Sequence, residues 1–171
     1  MQKVFVSACL MGNKVRYNGG SLSLDKSDKR WLDLNVKLVG FCPEVSAGLP
    51  IPRAPAEIIG GEGRDVINQQ ARVIGDDGVD VTDAFLDGAH QALKICLQQQ
   101  IKFAVLAEGS PSCGSEKIYD GTFSGNKVNG AGVTAQLLRS KGIKVYSQHS
   151  VMQLIEQLER ISETDKPKTI S

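Results

Sequence analysis

Four short apolar runs of β-prone residues, at 3–8, 37–41, 102–106 and 143–147, are separated by segments with helical periodicity. This alternation narrows the possible folds. Strands joined through helices run parallel, because a parallel pair needs a crossover connection, and the helices then cover both faces of the sheet. The expected fold class is therefore α/β: a Rossmann-like three-layer domain with a mainly parallel sheet.

The clearest helix is at 83–100, where Phe85, Ala89, Ala92, Leu93 and Cys96 recur on one face and Thr82 or Asp83 can cap the start. Residues 26–34 and 133–141 read as helices, the latter closed by Gly142. Ser150-Val151-Met152-Gln153 reads as a capping box opening a last helix, with Val151, Leu154, Ile155, Leu158 and Ile161 on its apolar face. Three prolines forbid a helix at 48–55. A small β-hairpin insertion is expected within 64–82, from Val66-Ile67 and Arg72-Val73-Ile74 with Asp76-Asp77-Gly78 as a turn. Residues 119–125 read as a Gly-rich loop. The expected organisation is one α/β domain over 1–162 and a polar, disordered tail over 163–171.

A chain of 171 residues fits one domain and can bury a core without cross-links. Lys and Arg number 20 against 19 Asp and Glu, so the basic excess of a nucleic-acid or anionic-membrane binder is missing. No apolar run approaches the ~20 residues of a spanning helix. Val6-Ser7-Ala8-Cys9 resembles a lipoprotein cleavage box, but only Met1 to Phe5 precede it, with Lys3 among them. A signal needs ~7–15 apolar residues there, so a cytoplasmic protein is expected. Gly is frequent, 18 residues, which suits tight loops around a ligand.

The four cysteines, Cys9, Cys42, Cys96 and Cys113, contain no C-x-x-C pair, so ribbon-type zinc sites and thioredoxin-type redox motifs are excluded. Cys96 lies on the apolar stripe of its helix and reads as a small buried hydrophobe. Cys9, Cys42 and Cys113 each fall at or just past the C-terminal end of a strand, the edge where open α/β sheets bind ligands. Taken singly, each is as well read as a core residue. Together they can present three thiols to one crevice. Three thiolates would leave a zinc ion open, with His149 a possible fourth ligand and His90 placed inside a helix. They would equally leave one iron of a [4Fe-4S] cluster without a protein ligand, and a soft iron of that kind favours chemistry on sulfur.

A series of motifs then becomes specific: V-S-A-C-L-M-G at 6–12, V-R-Y-N-G-G at 15–20, F-C-P-E at 41–44 and G-L-P-I-P-R-A-P-A-E at 48–57. G-S-P-S-C-G at 109–114 and I-Y-D-G-T-F-S-G at 118–125 complete it. In that order they resemble the thiouracil desulfidases, a bacterial family formerly catalogued as a domain of unknown function. The resemblance covers roughly residues 3–150. It implies a [4Fe-4S] cluster held by three cysteines, matched here by Cys9, Cys42 and Cys113, with one open iron. It also implies removal of sulfur from a small thiolated nucleobase, 2-thiouracil, releasing uracil and sulfide. Glu44 and Ser110 match the residues that assist catalysis.

The residue types suit that chemistry. Exchanging C=S for C=O is a hydrolysis without net redox change, and Glu44 can serve as general base to the attacking water. The competing role for Glu44 is a carboxylate bonded to loop amides, and for Ser110 a turn or cap hydroxyl beside Pro111. Arg53, Tyr17 and Asp120 are candidates for substrate contact, with a surface ion pair or a turn as the plainer role of each. Two other functions fit the cysteines: a non-catalytic iron–sulfur or redox-sensing protein, and a sulfur transferase carrying a persulfide on Cys113.

Overall fold

The structure, a computed structural model, describes residues 1–20 and 34–167. Its centre is a sheet of β1 (Lys3–Ser7), β2 (Lys37–Phe41), β5 (Phe103–Leu106) and β8 (Lys144–Ser147). The order is β2-β1-β5-β8 and every pairing is parallel, with Phe5 opposite Val39 and Ala104, and Phe103 opposite Lys144. The mixed α/β class with a mainly parallel sheet is thus the observed one. Alternation along the strands divides the core. Phe5, Ala104 and Leu106 pack on one side with α3 (Thr82–Gln98) and α4 (Val133–Ser140). Val4, Val6, Phe103 and Val105 pack on the other with Leu154, Ile155 and Leu158 of α5 (Val151–Thr164). Each fully buried large side chain of this kind contributes roughly 1.5–3 kcal/mol.

Because β1 lies between β2 and β5, the connection from β1 to β2 runs one way along the sheet and the connection from β2 to β5 runs back past β1. That makes the edge beyond β1 and β5 a topological switch point, where a crevice opens between diverging loops.

The hairpin insertion exists, but its first strand differs from the expected one. β3 (Ala56–Ile59) pairs antiparallel with β4 (Arg72–Gly75), Ala56 opposite Gly75. Val66 and Ile67 lie in a short helix, α2 (Gly63–Ile67), between the two strands. The Asp65 carboxylate there accepts the Glu62 N–H at 2.9 Å, and Val66 is wholly buried from the helix. Local capping and burial outweigh the β preference of a branched pair. The turn at 76–78 is as expected, with the Gly78 N–H donating to the Gly75 carbonyl at 2.9 Å.

Other differences lie at element ends. Neither Thr82 nor Asp83 caps α3. The buried Thr82 hydroxyl accepts the Val73 N–H at 2.9 Å, and Asp80 accepts the Thr82 N–H at 2.9 Å. Ser150 precedes α5, yet its hydroxyl accepts the Ser147 N–H, so no capping box forms with Gln153. α5 runs to Thr164, two residues into the segment expected to be a tail, whose last residues 168–171 lie outside the described residues. The expected helix at 26–34 also falls almost wholly outside them. The Gly-rich loop proved to be the tip of a second hairpin, β6 (Lys117–Tyr119) against β7 (Lys127–Asn129). Strands of three residues are too short to show an alternating pattern. Among the described residues no helix is long and apolar enough to cross a membrane.

Candidate active site

At the C-terminal edge of the sheet lies a cavity of about 730 Å³, and Cys9, Cys42 and Cys113 all line it. Each is delivered by a strand. β1 passes into a 3₁₀ turn, Ala8–Leu10, that carries Cys9. β2 ends at Phe41, and the next residue, Cys42, stands at the N-cap of α1 (Pro43–Ser46). Pro43 suits the first helical position because no N–H is needed there. The Cys42 thiol makes no capping hydrogen bond, though the backbone N–H groups of Val45 and Glu44 favour its charged form. β5 leads through Ala107 and Glu108 into the Ser110–Gly114 turn, closed by the Gly114 N–H on the Ser110 carbonyl at 2.8 Å. The expected convergence is therefore realised in space.

Burial pushes the Cys9 and Cys42 thiols up, and the charge of Cys42 adds to the effect on Cys9. Burial pushes Cys113 up further, partly countered by a hydrogen bond with Ser7, while Glu44, Cys9 and Cys42 add to the rise. The three thiols are thus close enough to feel one another's charge. Cys96 does not belong to this group. It lies at the opposite edge of the sheet, beside Ile101, Phe103 and Ile143, where burial pushes its thiol up to about 12.

Glu44 and Ser110 meet beside the cysteines. The Ser110 hydroxyl donates to Glu44 Oε1 at 3.2 Å and accepts the N–H groups of Ser112 and Cys113 at 3.1 and 3.3 Å. Glu44 Oε2 accepts Arg53 Nε at 2.9 Å and Nη2 at 2.5 Å. Arg53 also donates Nη1 to the Pro50 carbonyl and Nη2 to the Val15 carbonyl, both at 3.1 Å. Its side chain is only 9% exposed and the guanidinium spends its donors on protein acceptors, so it orients Glu44 and ties the Cys9 and Cys42 loops together. This buried pair is not the surface ion pair that is the plainer reading for an arginine. Tyr17 stands exposed on the cavity wall. Asp120 has the turn role, accepting the Thr122 N–H at 2.9 Å, and does not line the cavity. His149 lines the rim, and His90 is on an exposed part of α3.

Two acidic residues passed over in the sequence also line this cavity. Glu108 accepts the N–H groups of Ser115, Glu116 and Lys117 at 3.0, 3.0 and 2.8 Å and the Ser115 hydroxyl at 2.6 Å, clamping the turn that carries Cys113. Burial alone would raise its carboxyl, but those hydrogen bonds hold it below the usual carboxylate range. Glu57 is buried on β3. The only cue for Glu108 is its place between a strand end and G-S-P-S-C-G. Glu57 offers none beyond its motif.

The side chains that the three strand ends deliver, Cys9, Cys42 and Cys113, are all sulfur donors, which suits iron–sulfur ligation better than binding of a hard cation. Among the described residues no three His, Cys, Asp or Glu side chains close on a single-ion position. Among the described residues no mononuclear zinc site, with its ligands roughly 2.0–2.3 Å from one point, is preformed. Thiols spread around a cavity wall suit a cluster of several metal atoms.

Comparison with known proteins agrees. The profile of the family described as 2-thiouracil desulfurase matches residues 4–150. The uncharacterised protein YbbK of Bacillus subtilis (strain 168) is 43% identical over 152 residues, which is 89% of this chain and 99% of YbbK. The solved structure of the [4Fe-4S]-dependent thiouracil desulfidase TudS superposes with a TM-score of 0.79 at 43% identity, over 93% of this chain and 99% of that one. Continuous likeness across strands, cysteine loops and both hairpins places the chain in the 2-thiouracil desulfurase family.

Proposed function

We propose that this chain is a [4Fe-4S]-dependent desulfidase that hydrolyses a small thiolated nucleobase, 2-thiouracil, to uracil and hydrogen sulfide. The observation that carries this reading is the set of three thiols from three strand ends on one cavity wall, with the Glu44–Ser110 pair beside them. Cys9, Cys42 and Cys113 hold the cluster. An iron left without a protein ligand supplies Lewis acidity toward the thiocarbonyl sulfur.

The chain's own groups do the rest. Water adds to the ring carbon as the C=S π bond opens, and one of its protons goes to Glu44. The C–S bond then breaks as C=O forms, and the sulfur leaves with the bonding pair. The proton on Glu44 and the one left on the added oxygen make it hydrogen sulfide. No electron is gained or lost overall, so no external reductant is needed. Glu44 is the general base, and Arg53 fixes its plane by holding Oε2. Ser110 lies between Glu44 Oε1 and the amide of Cys113, where it can pass a proton and keep carboxylate and ligand loop in register. A persulfide carrier fits less well, because it needs one attacking cysteine whereas three line the cavity.

The test is anaerobic. Reconstituted protein is expected to carry close to four irons per chain and to consume the thiocarbonyl absorbance of 2-thiouracil with stoichiometric sulfide release. A colourless, iron-free protein with the same turnover would overturn the reading.

A further inference from the structure

Glu57 is a charged residue type placed in the interior, 8% exposed, and the mechanism above makes no use of it. It stands on β3 and faces the cavity. Its Oε1 accepts the N–H of Gly121 at 3.0 Å and that of Phe123 at 3.3 Å. Both donors lie in the tip of the β6–β7 hairpin, more than sixty positions along the chain. That tip is rigid in itself. Asp120 accepts the Thr122 N–H and hydroxyl at 2.9 and 2.5 Å and the Asn126 side-chain amide at 2.9 Å.

The tip also presses closely on β3. At Gly121, φ is +89° and a Cβ would lie 2.7 Å from the Ile58 carbonyl oxygen. Phe123 holds a φ of +56°, a left-handed conformation that a bulky side chain adopts only when its surroundings enforce it. The carboxylate of Glu57 receives the amides on either side of Thr122 and so holds this conformation against β3. The flanks of the same hairpin, Tyr119, Gly125 and Lys127, form a wall of the cavity.

We propose that Glu57 is a positioning residue for substrate: by anchoring the hairpin tip it sets the distance between that wall and the sulfur-ligand edge. The proposal rests on the desulfidase reading for the identity of the substrate, but not for the anchoring itself. Cluster, Glu44 and Ser110 stay in place without Glu57, so its loss falls on binding rather than on chemistry.

The experiment compares wild type, Glu57→Gln and Glu57→Ala as holoprotein. In Glu57→Ala, hydrogen exchange at the Gly121 and Phe123 amides is expected to accelerate. Trypsin is expected to cut after Lys127 faster, and KM for 2-thiouracil to rise roughly tenfold while kcat per cluster changes little. Glu57→Gln keeps an acceptor without the charge and should fall between the other two on every measure. Protected amides in Glu57→Ala, an unchanged KM, or a fall in kcat and iron content equal to any rise in KM would each overturn the assignment. So would failure of Glu57→Ala to fold, which would make the residue structural. If wild type does not turn over 2-thiouracil, the functional reading fails on its own, and exchange and proteolysis still decide whether Glu57 anchors the loop.

Discussion

Cys96 and Cys113 are both buried, at 0% and 6% exposure, yet their surroundings differ. Cys96 belongs to the apolar core, and burial pushes its thiol from an ordinary 9.0 up to about 12. Cys113 sits among Ser7, Glu44, Cys9 and Cys42. Replacing Cys9, Cys42 or Cys113 by Ser should each abolish iron retention, since a hydroxyl is a poor ligand for a soft metal. Cys96→Ser should keep full iron and lose about 1–3 kcal/mol of stability from a buried hydroxyl. Iron counts on four anaerobic samples decide it, and equal loss in all four would end the distinction. Glu44→Gln preserves shape but cannot take the proton of water. Turnover per cluster should fall roughly 10²–10⁴-fold with the iron spectrum unchanged, and normal turnover would remove Glu44 from the mechanism. The cysteines were legible because strand ends can be read from apolar runs. The role of Arg53 was not, because it arises where the loops of Val15, Glu44 and Pro50 meet, and no local pattern encodes that meeting.

At the scale of elements, the longest helix matters most to the site through one contact. α3 lies against α1, the turn that follows Cys42 and contains Glu44, and Gly88 is the point of closest approach. A Cβ at Gly88 would run into the Pro43 carbonyl. Glycine in a helix interior normally costs roughly 0.5–1 kcal/mol against alanine, so on an unpacked helix Gly88→Ala would stabilise. Here overpacking of about 1–3 kcal/mol outweighs that gain. Gly88→Ala is expected to lower the thermal midpoint and, by displacing α1, to lower iron retention and turnover together. A stabilised variant with full iron would show that α1 does not rest on α3. Long periodic helices and buried strands declared themselves in the sequence, since α3 spans Thr82–Gln98 with its apolar face as read. The short pieces did not. α2 at Gly63–Ile67 and the strands of the second hairpin owe their form to capping and to antiparallel pairing of β6 with β7, which no window of a few residues contains.

At the scale of the molecule, the sheet has two edges with different duties. Parallel packing under helices was legible from alternation, but the order β2-β1-β5-β8 was not, because strand adjacency is decided by which faces bury together. That order places the loops of Cys42, Cys9 and Cys113 side by side at one edge and leaves Cys96, Ile101 and Ile143 at the other. A cluster held by the first three joins neighbouring loops only in the folded chain, and a group that binds only the folded state adds stability, about 2.7 kcal/mol at a hundredfold excess over Kd. Removing iron anaerobically with a chelator should therefore lower the thermal midpoint. Hydrogen-exchange protection should fall in residues 9–20, 42–49 and 107–114, which carry or adjoin the thiols, while residues 101–106 and 143–147 keep theirs because their hydrogen bonds lie within the sheet and its packed faces. Uniform loss across both edges would mean that the whole fold depends on the cluster. Unchanged exchange and midpoint would mean that the three thiols hold nothing, and the edge would have to be read instead as packing.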